Sequence, residues 1–175
     1  MRLKDKRVAV LLEEGFEDLE FWVTVMRLQE EGARVTLVGL EAGKTVRGKT
    51  GLSATSEVAA ASVRPADCDA LVVPGGWAPD KLRRYDSVKN LVRGVYAQGK
   101  IVGLICHAGL VAISAGIIPP GGRATGSLGI KDDLVNAGAV WVDEPAFRDG
   151  QLVWGRVVAD IPAFCRELVA ALAAG

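Results

Sequence analysis

The chain has 175 residues, half of them hydrophobic, and 21 Lys and Arg balance 21 Asp and Glu. That length suffices for one domain, 1–175, with a core needing neither metals nor disulfides, and the even charge argues against nucleic acid or an anionic membrane as partner. Three cysteines, Cys68, Cys106 and Cys165, show neither metal-ligand spacing nor an even disulfide framework, so no metal is expected. The apolar run Val8–Leu12 after the basic N-terminus is too short for a signal-peptide core, and nothing approaches transmembrane length, so a cytoplasmic protein is expected.

Taken in order, Arg7–Leu12 reads as a buried strand. The next helix carries Leu19, Trp22, Val23 and Met26 at i, i+3, i+4 and i+7, which predicts its core face, and Gly32 ends it. Ala33–Gly39 is a second strand, and residues 43–57, with three glycines among polar residues, form a hairpin or an irregular excursion. Ala70–Pro74 is a third apolar strand that runs into Gly75-Gly76. Ser87–Ala97 is an amphipathic helix stopped by Gly99, and Ile101–Ile105 is a strand buried on both faces. From His107 to Gly116 the residues are small and helix-compatible. Lys131–Asn136 is a short helix, Val140–Val142 a strand, and Asp149-Gly150 a turn joining Pro145–Arg148 to Gln151–Trp154. A helix over Ile161–Ala173 closes the chain. Strands alternate with helices, so the expected class is α/β, a mostly parallel sheet with helices on both faces. Ligands in such folds sit beyond the carboxyl ends of the strands.

Two features fall at such ends. Cys106 stands where a buried strand turns into a helix, the geometry of a nucleophile elbow with sulfur in place of a serine oxygen. Helix N-terminal amides and the helix dipole are expected to favour the thiolate there. A cysteine in an apolar run is otherwise a small buried hydrophobe, which is the expectation for Cys68 and Cys165. Gly75-Gly76 lets backbone N–H groups approach a ligand. If the two strands are neighbours, the Gly76 and His107 amides form an oxyanion hole. His107 is the only histidine, so a Cys–His pair has one possible composition, although adjacent side chains seldom aim at each other. Of the acids after the first strand, Glu17 and Asp18 complement a helix N-terminus. Glu20 lies further in, and as a partly buried protonated carboxyl it would hydrogen-bond and stabilise a thiolate. Trp77, directly after the glycine pair, would overhang the site.

These motifs together resemble the ThiJ/PfpI family over nearly the whole chain. The anchors are Gly15-Phe16-Glu17-Asp18-Leu19-Glu20, Ala70–Gly76 with Ala78-Pro79-Asp80, Ile105-Cys106-His107, Gly129-Ile130-Lys131-Asp132-Asp133, and Asn136 to Asp143; the likeness is to the PfpI branch. The resemblance implies a flavodoxin-like three-layer α/β/α sandwich with Cys106 as nucleophile, Glu20 as carboxyl partner and His107 as base. It also implies Gly76 and His107 as oxyanion donors, and Gly75, Trp77, Ser127 and Glu17, around these groups, are the expected substrate-binding positions. Members act as homo-oligomers, dimers or hexamers, and in the peptidase-like ones an acid at the position of Asp80 reaches a neighbouring subunit's histidine. No cofactor is implied. The activity it implies is a stress-related cysteine enzyme acting on reactive carbonyls or glycation adducts, of glyoxalase or deglycase type. An intracellular cysteine peptidase acting on peptides ranks second. A redox sensor or chaperone working through Cys106 oxidation is the alternative from another class.

Two departures stand out. The family's Cys-His-Gly-Pro is Cys106-His107-Ala108-Gly109, and the Tyr-Pro before Gly-Ile-Lys-Asp-Asp is Ser127-Leu128. Ser127 can donate a hydrogen bond but is no efficient acid or base near neutral pH. A glutamine amidotransferase would need a downstream histidine, which the chain lacks. A flavodoxin-type electron carrier would need a phosphate loop where Glu13-Glu14-Gly15 would repel an anion.

Overall fold

The apolar runs lie side by side in a computed structural model that describes residues 1–175. In chain order the elements are β1 (Arg7–Leu11), α1 (Asp18–Glu30), β2 (Arg34–Gly39), β3 (Thr45–Arg47), β4 (Ser53–Thr55), β5 (Val58–Ala59), β6 (Ala70–Val73), α2 (Ala78–Leu82), α3 (Asp86–Ala97) and β7 (Ile101–Ile105). They continue with α4 (Gly109–Ala115), β8 (Arg123–Ala124), α5 (Lys131–Asn136), β9 (Val140–Trp141), β10 (Ala146–Asp149), β11 (Leu152–Gly155) and α6 (Ile161–Ala173). The main sheet runs β10-β11-β7-β6-β1-β2-β5 and is parallel except for β10 at one edge. Helices α1 and α6 pack together over one side, and α2, α3 and α4 form the other layer. The flavodoxin-like α/β sandwich is therefore as expected.

Strands β6 and β7 are buried at every residue, as parallel strands covered on both faces must be. Gly103 in β7 leaves room for α6: a Cβ there would lie 3.1 Å from Leu168 and 3.2 Å from Phe164. Two expectations need correction. The β10–β11 turn is formed by Gly150 and Gln151, with Gly150 at φ +60°, one residue later than expected. The core face of α1 is also different, for it buries Phe21, Thr24, Val25 and Leu28, whereas Leu19 and Met26 are 48% and 59% exposed. Both stripes have the same helical spacing, so periodicity alone could not choose between them.

The excursion between β2 and β5 is a hairpin, β3 paired antiparallel with β4. Its tip is bound to the start of α1 by a buried carboxylate. Asp18 Oδ2 accepts from the Thr50 N–H at 2.8 Å and Oδ1 from the Leu52 N–H at 2.7 Å. Gly48 packs so closely that a Cβ would sit 2.6 Å from Asp18 Cγ. Burial pushes the Asp18 carboxyl up, but the Thr50 and Leu52 amides outweigh it and hold it below the usual range. Its stabilisation is therefore complete at neutral pH and is lost as acid protonates it. Asp18→Ala is expected to speed hydrogen exchange at the Thr50 and Leu52 amides and to cost about 1–3 kcal/mol in urea unfolding. Unaltered protection at both amides would refute the tether.

Candidate functional site

The elbow is real in backbone terms. Ile105 is extended, and Cys106 then adopts φ +62°, a left-handed conformation shared by only one other non-glycine residue, Asp5. A side chain there costs about 1 kcal/mol or more, so the surrounding structure must enforce it. One turn of 3-10 helix, Cys106–Ala108, leads into α4. Because α4 has only seven residues, its dipole is a smaller influence than expected, and individual amides matter more.

Strands β6 and β7 are parallel neighbours, which brings Gly75 and Gly76 beside Cys106. The loop after β1 is laced to the same place. Phe16 bridges Gly76 antiparallel, the Glu17 N–H donates to Gly75 O at 3.0 Å, and the Trp77 N–H donates to Gly15 O at 2.7 Å. Gly76 sits at φ +81° and fits against this loop without a Cβ. Gly75 is equally constrained: a Cβ would lie 2.6 Å from that of Cys106 and collide with Glu20 Oε2. Glu17 caps α1, its Oε2 accepting from the Glu20 N–H at 2.7 Å. Glu20 is thereby carried over the strand ends, fully buried, with Oε2 accepting from the Gly75 N–H at 2.7 Å.

His107 turns toward the sulfur rather than away, with Nδ1 3.2 Å from Cys106 Sγ. The amides of Gly76 and His107 also face Sγ and draw the thiol down. They do not prevail alone, which corrects the expectation of a thiolate favoured by amides and dipole. Burial, then the charge of Glu20 and its hydrogen bond, push the Cys106 thiol up to about 12. Burial likewise pushes Glu20 up to about 7, against the Gly75 N–H. The two groups thus share one proton around neutral pH. Beyond the Cys106 thiol, Glu20 Oε1 is buried without a donor to accept from, whereas the sulfur faces two amides. The arrangement in which Glu20 keeps the proton and donates toward a thiolate answers both needs. Burial, and next the charge of Lys49, hold His107 below its ordinary value, so the imidazole is neutral at pH 7.

Comparison with known proteins places the chain that carries this elbow. The DJ-1/PfpI family model matches residues 6–171. The chain belongs to the DJ-1/PfpI family. Among relatives in the family, deglycase PH1704 of Pyrococcus horikoshii is 40% identical over 163 residues, 93% of this chain and 97% of that one. General stress protein 18 of Bacillus subtilis is 39% identical over 95% of this chain and 98% of its own. A solved DJ-1/ThiJ/PfpI-like structure from Anabaena variabilis superposes with a TM-score of 0.93 at 34% identity. It covers 96% of this chain, which spans about half of that two-domain protein (48%), the other domain being ferritin-like.

The remaining sequence candidates scatter. The Ser127 N–H donates to Cys106 O at 3.1 Å, but its hydroxyl accepts from the Gly129 N–H at 3.4 Å, a capping contact. Trp77 is 65% exposed at the rim, packed against Gly15. Asp80 is exposed and pairs with Arg84, just beyond the end of α2. Sequence reasoning missed Lys49, whose ammonium lies 5.5 Å from the Trp77 ring centre and whose charge acts on both Glu20 and His107. Only its flanking glycines, Gly48 and Gly51, hinted at a shaped loop. Alkylation of Cys106 against pH should follow the proton that the Cys106–Glu20 pair loses around neutral pH, with a midpoint below that of free cysteine, and Glu20→Gln should slow alkylation at pH 6 about tenfold. A wild-type midpoint at or above that of free cysteine would overturn the shared-proton arrangement.

Proposed function

We propose that the protein is a cysteine-dependent enzyme acting on reactive carbonyls or their glycation adducts, with Cys106 as nucleophile. The observation that carries this reading is the Cys106 sulfur on a strained elbow, against a buried Glu20 and 3.2 Å from His107. The carbonyl chemistry follows from that arrangement. Sγ adds to the aldehyde carbon of a 2-oxoaldehyde, and the carbonyl electrons move to oxygen, which the Gly76 and His107 N–H groups hold. The Glu20 proton passes to that oxygen. As a carboxylate, Glu20 then takes the proton from the former aldehyde carbon and delivers it to the adjacent one, while the hydroxyl proton moves to the neighbouring oxygen, which leaves a 2-hydroxy thioester on Cys106. Water hydrolyses the thioester, so that aldehyde and one water become a 2-hydroxy acid, Glu20 regains its proton and Cys106 leaves as the thiolate. A hemithioacetal or carbinolamine adduct enters by releasing its thiol or amine as the aldehyde passes to Sγ. The names of deglycase PH1704 and of general stress protein 18 support the substrate class and the stress setting.

A peptidase is less favoured. It would need His107 oriented by an acid, and the candidate Asp80 is held by Arg84 within the same protomer. The sensor reading has one supporting observation: Cys106 is half-buried, whereas Cys68 and Cys165 are buried. A homo-oligomer is part of the proposal. The exposed apolar face of α1, Leu19, Val23 and Met26, supports it, with Arg27 and Glu30 at its margin as a self-complementary pair of charges. No helix is long and apolar enough to cross a membrane, and three unpaired cysteines support a cytoplasmic setting.

Methylglyoxal consumption should fall at least about a thousandfold in Cys106→Ala and about a hundredfold in Glu20→Gln. Equal rates in all three proteins would end this mechanism. Under graded peroxide, mass spectrometry should find sulfinic acid at Cys106 before any oxidation of Cys68 or Cys165. Simultaneous oxidation of all three would remove the sensor reading.

A further inference from the structure

The hairpin tip between β3 and β4 lies outside the main sheet, yet it is one of the most firmly placed segments near the cysteine. The two amides on Asp18 fix it to the start of α1, and the Lys49 N–H adds a third tie, donating to Phe16 O at 2.9 Å. Phe16 is also the residue that bridges Gly76. The backbone carrying Lys49 is therefore registered against the backbone that carries the Gly76 amide. The Lys49 side chain extends over the exposed ring of Trp77, the residue after Gly76, with 5.5 Å from ammonium to ring centre.

The ammonium has no carboxylate partner within 4.0 Å. That is notable in a region so rich in acids. Each of the others is otherwise engaged: Glu13 with Lys81, Glu14 with the Arg47 N–H, Glu17 with the Glu20 N–H and Glu20 with the Gly75 N–H. A cation over an exposed indole gains about 0.5–1 kcal/mol and leaves its outer side open to a ligand. The charge of Lys49 reaches the reacting groups, since it acts on both Glu20 and His107.

We propose that Lys49 selects carbonyl adducts that carry a carboxylate, such as those formed on an amino acid with its carboxylate free. The inference rests on the carbonyl chemistry proposed for Cys106. The carbonyl carbon sits at Sγ, the body of the adduct lies along Trp77, and the carboxylate meets the Lys49 ammonium. A single negative charge suits the site better than two. One lysine opposes a monoanion, while the surrounding glutamates repel the second charge of a phosphate monoester. Lys49 is thus a specificity residue and takes no proton.

The test compares two preformed adducts of methylglyoxal, one with N-acetylcysteine and one with its uncharged amide, by kcat/KM. The wild-type protein should prefer the carboxylate adduct about fivefold at low salt, and the preference should shrink toward parity in about 0.5 M sodium chloride. Lys49→Arg should retain the preference, Lys49→Met should bring the ratio to about one, and Lys49→Glu should invert it. A wild-type ratio of one, or a preference that persists in Lys49→Met, would overturn the inference. Inorganic phosphate should compete no better than acetate at equal ionic strength, and stronger competition by phosphate would overturn the choice of a monoanion. Cys106→Ala separates the two claims. Turnover that survives it defeats the carbonyl mechanism, whereas Cys106-dependent turnover with no preference defeats the role of Lys49 alone.

Discussion

The close approach of Gly75 to both Cys106 and Glu20 is the constraint on which the site depends. With no side chain at that position, the end of β6 lets a carboxyl from α1 and a thiol from β7 meet across it. The Gly75 N–H also satisfies one oxygen of the carboxyl that its missing Cβ admits. The left-handed backbone at Cys106 is the matching requirement on the other strand, because an extended continuation would carry the thiol on with the sheet. The stored strain is small beside the packing of two fully buried strands, so the fold can hold it.

Electrostatics then follow from geometry. Two acids are buried at the start of the same helix, Asp18 and Glu20, and their environments push them in opposite directions. Asp18 has a backbone N–H for each oxygen and stays ionised. Glu20 has one amide donor for two oxygens and keeps its proton to about neutral pH. The first is a structural tie and the second a proton store next to sulfur. Two residues apart in sequence, they differ in how many amides face them and in the charge of Glu17, which pushes Glu20 further up.

Much of the fold was legible because buried parallel strands are continuous apolar runs that glycines and helices punctuate. The boundaries of α5 and α6 were read as they stand, and β1, β2, β6 and β7 to within a residue. The exposed face of α1 was misread because Leu19, Trp22, Val23 and Met26 repeat with the same period as Phe21, Val25 and Leu28. A pattern of period 3.6 tells that a helix is amphipathic, and two overlapping patterns leave its rotation to the neighbours. Here α6 and the sheet set that rotation, and it is this rotation that points Glu20 inward.

The sequence by itself determined the elbow at Cys106, the glycine pair and the candidate carboxyl, since each is written in a local change of residue type. Only the tertiary structure decided that His107 faces the sulfur, that Asp80 answers to Arg84, and that Lys49 reaches the rim of the site. It also replaced a thiol depressed by amides with a thiol and a carboxyl sharing one proton. The reason is physical. Propensity and periodicity act over a few residues, whereas a side chain's direction and a group's proton affinity are set by what other elements bring against it.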